Sequence, residues 1–119
     1  MAKKTVLIID DDARNIFALK AMLLAKKFDC VAKTGALEAL ELLRSDLQVD
    51  FILMDMMMPE MDGYEAIPLI KKLENRKSTP VYAVTAQAML GDKEKCLSAG
   101  ADAYISKPID VDRLLQLLV

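Results

Sequence analysis

Two rhythms of apolar spacing alternate along this chain. Unbroken apolar runs at 6–9, 51–54 and 81–84 (VLII, FILM, VYAV) are set between stretches whose apolar residues recur every three or four positions. The unbroken runs predict strands buried on both faces, and the spaced stretches predict amphipathic helices. Shorter or mixed runs at 29–32 and 103–105 predict two more strands. The first helical face is marked by Ile16, Leu19 and Leu23, the second by Ala36, Leu40 and Leu43, and the third by Ile67, Ile70 and Leu73. Met89, Lys93 and Leu97 form a weaker fourth stripe, and Val111, Leu114, Leu115 and Leu118 form the last.

Five strand–helix units in sequence predict an α/β fold: a doubly wound parallel sheet with helices on both faces. The three fully apolar strands belong in the middle and the two mixed ones at the edges. That gives the strand order 2-1-3-4-5, one of the two common orders for such sheets and the flavodoxin-like one. Asp62-Gly63-Tyr64-Glu65 reads as a capping box that opens the third helix. Ala99-Gly100 places glycine where the fourth helix should stop. Pro68 falls inside the third helix if that helix starts near Gly63, which puts its straightness in doubt. Gly91 is expected to weaken the fourth helix.

A chain of 119 residues, 54% of them hydrophobic, suits one domain over residues 1–119 with ample core. The last helix runs to Leu118-Val119 without a polar stop, which leaves open that the chain is cut from a longer one. The net charge of −2 is too small to imply a nucleic-acid partner. A basic group at Lys71, Lys72, Arg76 and Lys77 reads as a solvated helix end and loop. Cys30 and Cys96 show no metal or redox spacing and fit reduced thiols of a cytoplasmic protein. No apolar run is long enough for a signal peptide or a membrane span. The chain has no histidine, so a Ser-His-Asp triad, a His-ligated metal or a phosphohistidine step cannot lie within it.

In an open parallel sheet, ligands bind beyond the carboxyl ends of the strands, where the strand order reverses. Asp10-Asp11-Asp12 ends the first strand, Asp55 the third, Thr85 the fourth and Ser106-Lys107-Pro108 the fifth. Carboxylates gathered in one place repel one another, and a hard divalent cation removes that conflict. All-oxygen ligands favour Mg²⁺, with Mn²⁺ as a substitute. Asp12 reads as a cap of the first helix, outside this group. Lys107 and the Thr85 hydroxyl would complete a pocket for phosphoryl oxygens, with Asp55 able to form an acyl phosphate.

These segments resemble those of response-regulator receiver domains, the CheY-like family, over essentially the whole chain. VLIIDDDARN resembles the opening acidic pair, and FILMDMMMPEMDG the phosphoacceptor segment. PVYAVTA resembles the switch-threonine segment, and AGADAYISKPI the segment with the switch aromatic and Lys-Pro pair. The run from Thr85 to Ile109 is also similar to receivers of hybrid histidine kinases and to single-domain regulators of the DivK kind.

The resemblance implies a signalling domain rather than an enzyme. Asp55 would accept a phosphoryl group from the phosphohistidine of a histidine kinase or a histidine phosphotransfer protein. Asp11, Asp55 and the Met57 carbonyl would hold Mg²⁺, with Asp10 assisting. Thr85, Lys107 and the backbone amides of Met57 and Ala86 would bind phosphoryl oxygens. Tyr104 would turn inward with Thr85, switching the surface of helix four, strand five and helix five toward a downstream effector protein. The same surface could support a weak phosphorylation-dependent dimer of an otherwise monomeric protein. The Lys107-Pro108 bond would be cis. No membrane partner is implied.

Met57 and Gln87 stand at the two positions that tune phosphoryl lifetime in the family, and apolar Met57 cannot orient an attacking water. Slow self-dephosphorylation is therefore expected.

Three other readings compete. Asp10-Asp11-Asp12 also reads as the D-x-D of haloacid-dehalogenase-like phosphatases, with Asp10 as nucleophile. No Gly-Thr follows these acids, and the chain has no room for a substrate cap. Met54, Met56, Met57, Met58 and Met61 could offer thioethers to Cu(I), but an apolar filling role suits most of them better. A docking module that never takes phosphate would not need the acids, Thr85 and Lys107 together.

Overall fold

The computed structural model describes residues 3–86 and 91–118. Five parallel strands form one sheet: β1 (Thr5–Ile9), β2 (Asp29–Lys33), β3 (Phe51–Asp55), β4 (Val81–Thr85) and β5 (Ala103–Ser106). Their order is β2-β1-β3-β4-β5, as expected from the apolar runs. The helices between and after them are α1 (Ala13–Ala25), α2 (Ala36–Leu43), α3 (Gly63–Lys72), α4 (Asp92–Ser98) and α5 (Val111–Leu117). Every strand outruns its apolar run by one residue. The extra residue is polar in each case, so hydrophobicity alone could not mark it.

Alternation along the strands divides the core in two. Leu7, Ile9, Ile52, Met54, Val81 and Ala83 face α2, α3 and α4. Val6, Ile8, Phe51, Leu53, Tyr82, Val84 and Ile105 face α1 and α5. Helices on both sides explain why β1, β3 and β4 tolerate continuous apolar sequence.

The helix ends follow local chemistry. Asp12 caps α1 by accepting from the Arg14 amide, and Asp62 caps α3 by accepting from the Glu65 amide, one arm of the expected box. Gly100 takes φ 115°, and the bonds Gly100 N–H to Leu97 O and Ala101 N–H to Cys96 O close α4 in a Schellman motif. The same pair of bonds closes α1 around Lys27 at φ 70°, where no glycine signals the end.

Several expectations need correction. Gly91 does not interrupt α4; it is the N-cap, at φ 87°. The stripe Met89, Lys93, Leu97 is not the buried face. Met89 lies outside the described residues, Lys93 and Leu97 are exposed, and Asp92 and Cys96 are buried instead. Val111 is also largely exposed, leaving Leu114 and Leu118 to anchor the last helix.

The basic group at residues 71–77 is not simply solvated. Arg76 is buried and donates to the carbonyls of Leu43, Ser45 and Leu47, collecting the loose carbonyls beyond α2. Lys71 pairs with Asp102 at 2.8 Å and also donates to the Thr79 carbonyl. Pro68 does sit within α3. Among the described residues, no helix is long and apolar enough to cross a membrane.

Candidate phosphoryl and metal site

The sheet order brings the ends of β1 and β3 side by side. Ile9 pairs with Met54, so Asp10 and Asp55 are neighbours by register. Both are buried. One carboxylate oxygen each from Asp10, Asp11 and Asp55 lies within 4.8 Å of the others. This oxygen set fits a hard divalent cation, since carboxylates this close repel unless a positive charge sits among them.

Each buried acid is held by specific donors. Asp10 Oδ1 accepts from the Asp12 amide at 2.9 Å, and Asp10 Oδ2 accepts from Asn15 Nδ2 at 3.4 Å. Asp55 Oδ1 accepts from the Met57 amide at 3.1 Å. Lys107 Nζ stands between the two acids, 3.5 Å from Asp10 Oδ2 and 3.7 Å from Asp55 Oδ2. Burial pushes the Asp55 carboxyl up to about 6; the Met57 amide pulls it down, Asp10 raises it, and Lys107 lowers it. Asp55 is therefore a carboxylate whose charge is poorly compensated by the protein alone.

The remaining expected residues surround this centre. Thr85 is buried at the end of β4, and Ala86 follows it, exposed. Their strand is tied to the lysine: the Lys107 amide donates to the Thr85 carbonyl at 2.8 Å. The Lys107-Pro108 peptide is cis. Met57 is 50% exposed at the mouth of the β3–α3 loop, whereas Met54, Met56 and Met58 are buried packing. A Cβ on Gly63 would lie 2.3 Å from Met56 Sδ and 3.0 Å from Met56 Cα, so a larger residue there would displace the buried Met56 side chain and press on the loop that carries Asp55. Tyr104 is half-buried on β5, and its hydroxyl donates to Asp92 Oδ2 at 3.4 Å. Gln87 lies outside the described residues.

Sequence reasoning missed two participants. Asn15 is five residues beyond Asp10, and only the path of α1 turns it back onto that acid. Asp92 carries no signal of its own in the sequence, being one charge in the run Asp92-Lys93-Glu94-Lys95. Its burial is tertiary, made by tyrosines 28 positions before it and 12 positions after it.

A parallel five-stranded sheet with three acids and a lysine at its carboxyl edge defines a class, and comparison with known proteins makes it specific. The response regulator receiver domain family matches residues 6–119, and the chain belongs to it. It is 38% identical to the polar-differentiation response regulator DivK of Brucella ovis, over 97% of this chain and 93% of that protein. Among solved structures, it resembles the receiver domain of sensor histidine kinase PA1611 from Pseudomonas aeruginosa, which has a magnesium ion coordinated in its active-site cleft. The TM-score is 0.88 at 32% identity, covering 98% of this chain and 95% of that one. Chemotaxis protein CheY4 of Vibrio cholerae is similar at TM-score 0.89 and 25% identity, covering 98% and 97%. The chain is thus a receiver domain of the two-component signalling type.

Proposed function

We propose that this single domain takes a phosphoryl group from a partner's phosphohistidine onto Asp55. The observation that carries this reading is the convergence of Asp10, Asp11 and Asp55 with Lys107 between two of them. An Asp55 carboxylate oxygen attacks phosphorus, a P–O bond forms as the P–N bond breaks, and the imidazole leaves with the bond's electron pair. Water later cleaves the acyl phosphate to free phosphate and the carboxylate. Mg²⁺ or Mn²⁺, held by Asp10, Asp11, Asp55 and the Met57 carbonyl, would neutralise charge on the transferring oxygens.

The protein's own groups do the rest. Lys107, the Thr85 hydroxyl and the Met57 and Ala86 amides hold the phosphoryl oxygens. Asp55 is better suited than Asp10 to be the nucleophile. Asp10 has both oxygens engaged by N–H donors from Asp12 and Asn15, whereas Asp55 has one such bond. Exposed Met57 offers no base for the hydrolytic water, so the acyl phosphate persists. A groove of about 240 Å³ runs from Asp10 and Lys107 past Ala18, Leu19, Met22 and Ile109. Phe17 stands on the same helix, 77% exposed. This apolar approach suits the helix of a histidine kinase or phosphotransfer protein delivering its imidazole.

Binding of the phosphoryl group draws in Thr85 and then Tyr104, and the α4–β5–α5 surface passes the change to an effector. Incubation with a small phosphodonor and Mg²⁺, followed by mass spectrometry, tests the assignment. A gain of one phosphoryl group in the native protein and none in Asp55→Asn is expected. Equal labelling of both refutes it, and a label on Asp10 would favour the phosphatase reading.

A further inference from the structure

Three carboxylates are buried among the described residues, and only two belong to the acid cluster. The third, Asp92, opens α4 and is 5% exposed. An acid in the first turn of a helix is favoured by the helix dipole, but it ordinarily stays in water. Asp92 is kept inside by two hydroxyls from other elements. Tyr64 of α3 donates to Oδ1 at 2.9 Å, and Tyr104 of β5 donates to Oδ2 at 3.4 Å.

The Tyr64 side is braced. Its hydroxyl also touches Cys96 Sγ at 3.9 Å, and Lys95 Nζ lies 5.1 Å from its ring centre. Burial and the bond to Asp92 push the Tyr64 phenol upward, so it remains a donor. The Tyr104 side is the longer and weaker bond, to the residue that is expected to move. One carboxylate thus joins the helix that follows the Asp55 loop, the start of α4, and the switch strand. Removing a donor from a buried carboxylate is costly, so Tyr104 is held until another interaction offsets its release.

Resting on the phosphoacceptor reading above, we propose that Asp92 is a positioning residue of the switch. Tyr64 anchors its carboxylate, and the carboxylate holds the Tyr104 hydroxyl in the resting arrangement. Phosphorylation of Asp55 must overcome this hold, so Asp92 sets the fraction of molecules poised to switch.

The chain has three tyrosines, so 3-fluorotyrosine labelling gives three fluorine resonances, and Tyr104→Phe identifies the one from Tyr104. Asp92→Asn keeps the side chain's shape but leaves a single accepting oxygen, which the shorter Tyr64 bond retains. In chelator, the Tyr104 resonance of Asp92→Asn should move toward its position in the native protein saturated with beryllofluoride and Mg²⁺. Beryllofluoride should bind Asp92→Asn about three- to tenfold more tightly, because the competent fraction has risen. Tyr104→Phe should show the same gain, and the double variant no more than either single one.

An unmoved Tyr104 resonance in Asp92→Asn overturns the proposal. So does unchanged affinity, or a double variant whose gains add. Native protein that takes up no beryllofluoride overturns the phosphoacceptor reading itself. Native protein that binds it while Asp92→Asn behaves identically overturns only the role of Asp92.

Discussion

Asp55→Asn should make the metal-free domain more stable at neutral pH, although it removes the residue on which signalling would depend. Burial, with Asp10 nearby, raises the Asp55 carboxyl from 3.8 to about 6 despite the Met57 amide and Lys107. At about 1.4 kcal/mol per unit, holding this carboxylate ionised costs the folded state about 3 kcal/mol at pH 7.5. Asparagine is neutral and can still accept the Met57 N–H, so it should recover between about 1 and 3 kcal/mol.

For a chain this long, each kcal/mol moves Tm by about 4 °C, so the variant should melt about 4–12 °C higher. The pH dependence has a definite sign. A carboxyl raised in the folded state binds more protons there than in the unfolded chain. Its contribution is therefore fully present below about pH 4 and is lost as pH rises through about 6. The gap between variant and native protein should be absent near pH 4, open across that window, and level off above it.

Thermal melts followed by circular dichroism in chelator, from pH 4 to 8, measure this directly. Adding Mg²⁺ should raise native Tm more than variant Tm, because an ion held by Asp10, Asp11 and Asp55 would bind the folded protein and not the unfolded one. A variant that melts at or below the native protein at pH 7.5, or a gap that does not change with pH, would show that Asp55 is not a strained carboxylate.

Other consequences can be checked separately. Met57→Glu should shorten the acyl phosphate lifetime by about tenfold, less than the roughly hundredfold of a well-positioned base because residue 57 is half exposed and loosely held, as read by phosphate release after a phosphodonor pulse. Phe17→Asp should slow transfer from a phosphohistidine-bearing partner at least tenfold and leave labelling by a small phosphodonor unchanged; equal loss of both would remove the docking role of α1. Arg76→Leu leaves the carbonyls of Leu43, Ser45 and Leu47 without their donor and should cost about 2–4 kcal/mol in urea unfolding. A cost below about 0.5 kcal/mol would mean that water replaces the guanidinium easily.

Much of this architecture was legible because it depends on short-range patterns. Continuous apolar strands belonged in the middle of the sheet, and 2-1-3-4-5 is the common doubly wound order that puts them there. The strand order in turn carried Asp10 and Asp55 to adjacent positions. Asp12 and Asp62 announced their helices because a cap acts within three residues. What escaped detection depended on contacts between distant segments. Arg76 sat among lysines and looked solvated, yet its partners are about thirty residues earlier. Asp92 likewise owes its burial to tyrosines 28 positions before it and 12 after it. The end of α1 carried no glycine because Lys27 accepts a left-handed backbone there, which side-chain type does not forbid but seldom signals. Hydrophobic spacing also failed on α4, whose buried face contains a carboxylate that any hydropathy pattern would assign to water.

The bond from the Lys107 amide to the Thr85 carbonyl has a consequence for how such a domain can diversify. The two side chains expected to grip phosphate are mounted on backbone joined by this one bond, so a shift of either strand end is passed to the other. A substitution that loosens the β4–β5 ladder would detune both grips together, and the β3–α3 loop is tied to the same strand where the Met56 amide donates to the Val84 carbonyl at 2.9 Å. A change of grip would therefore call for paired substitutions on β4 and β5, whereas the exposed Met57 side chain can be exchanged without disturbing that bond.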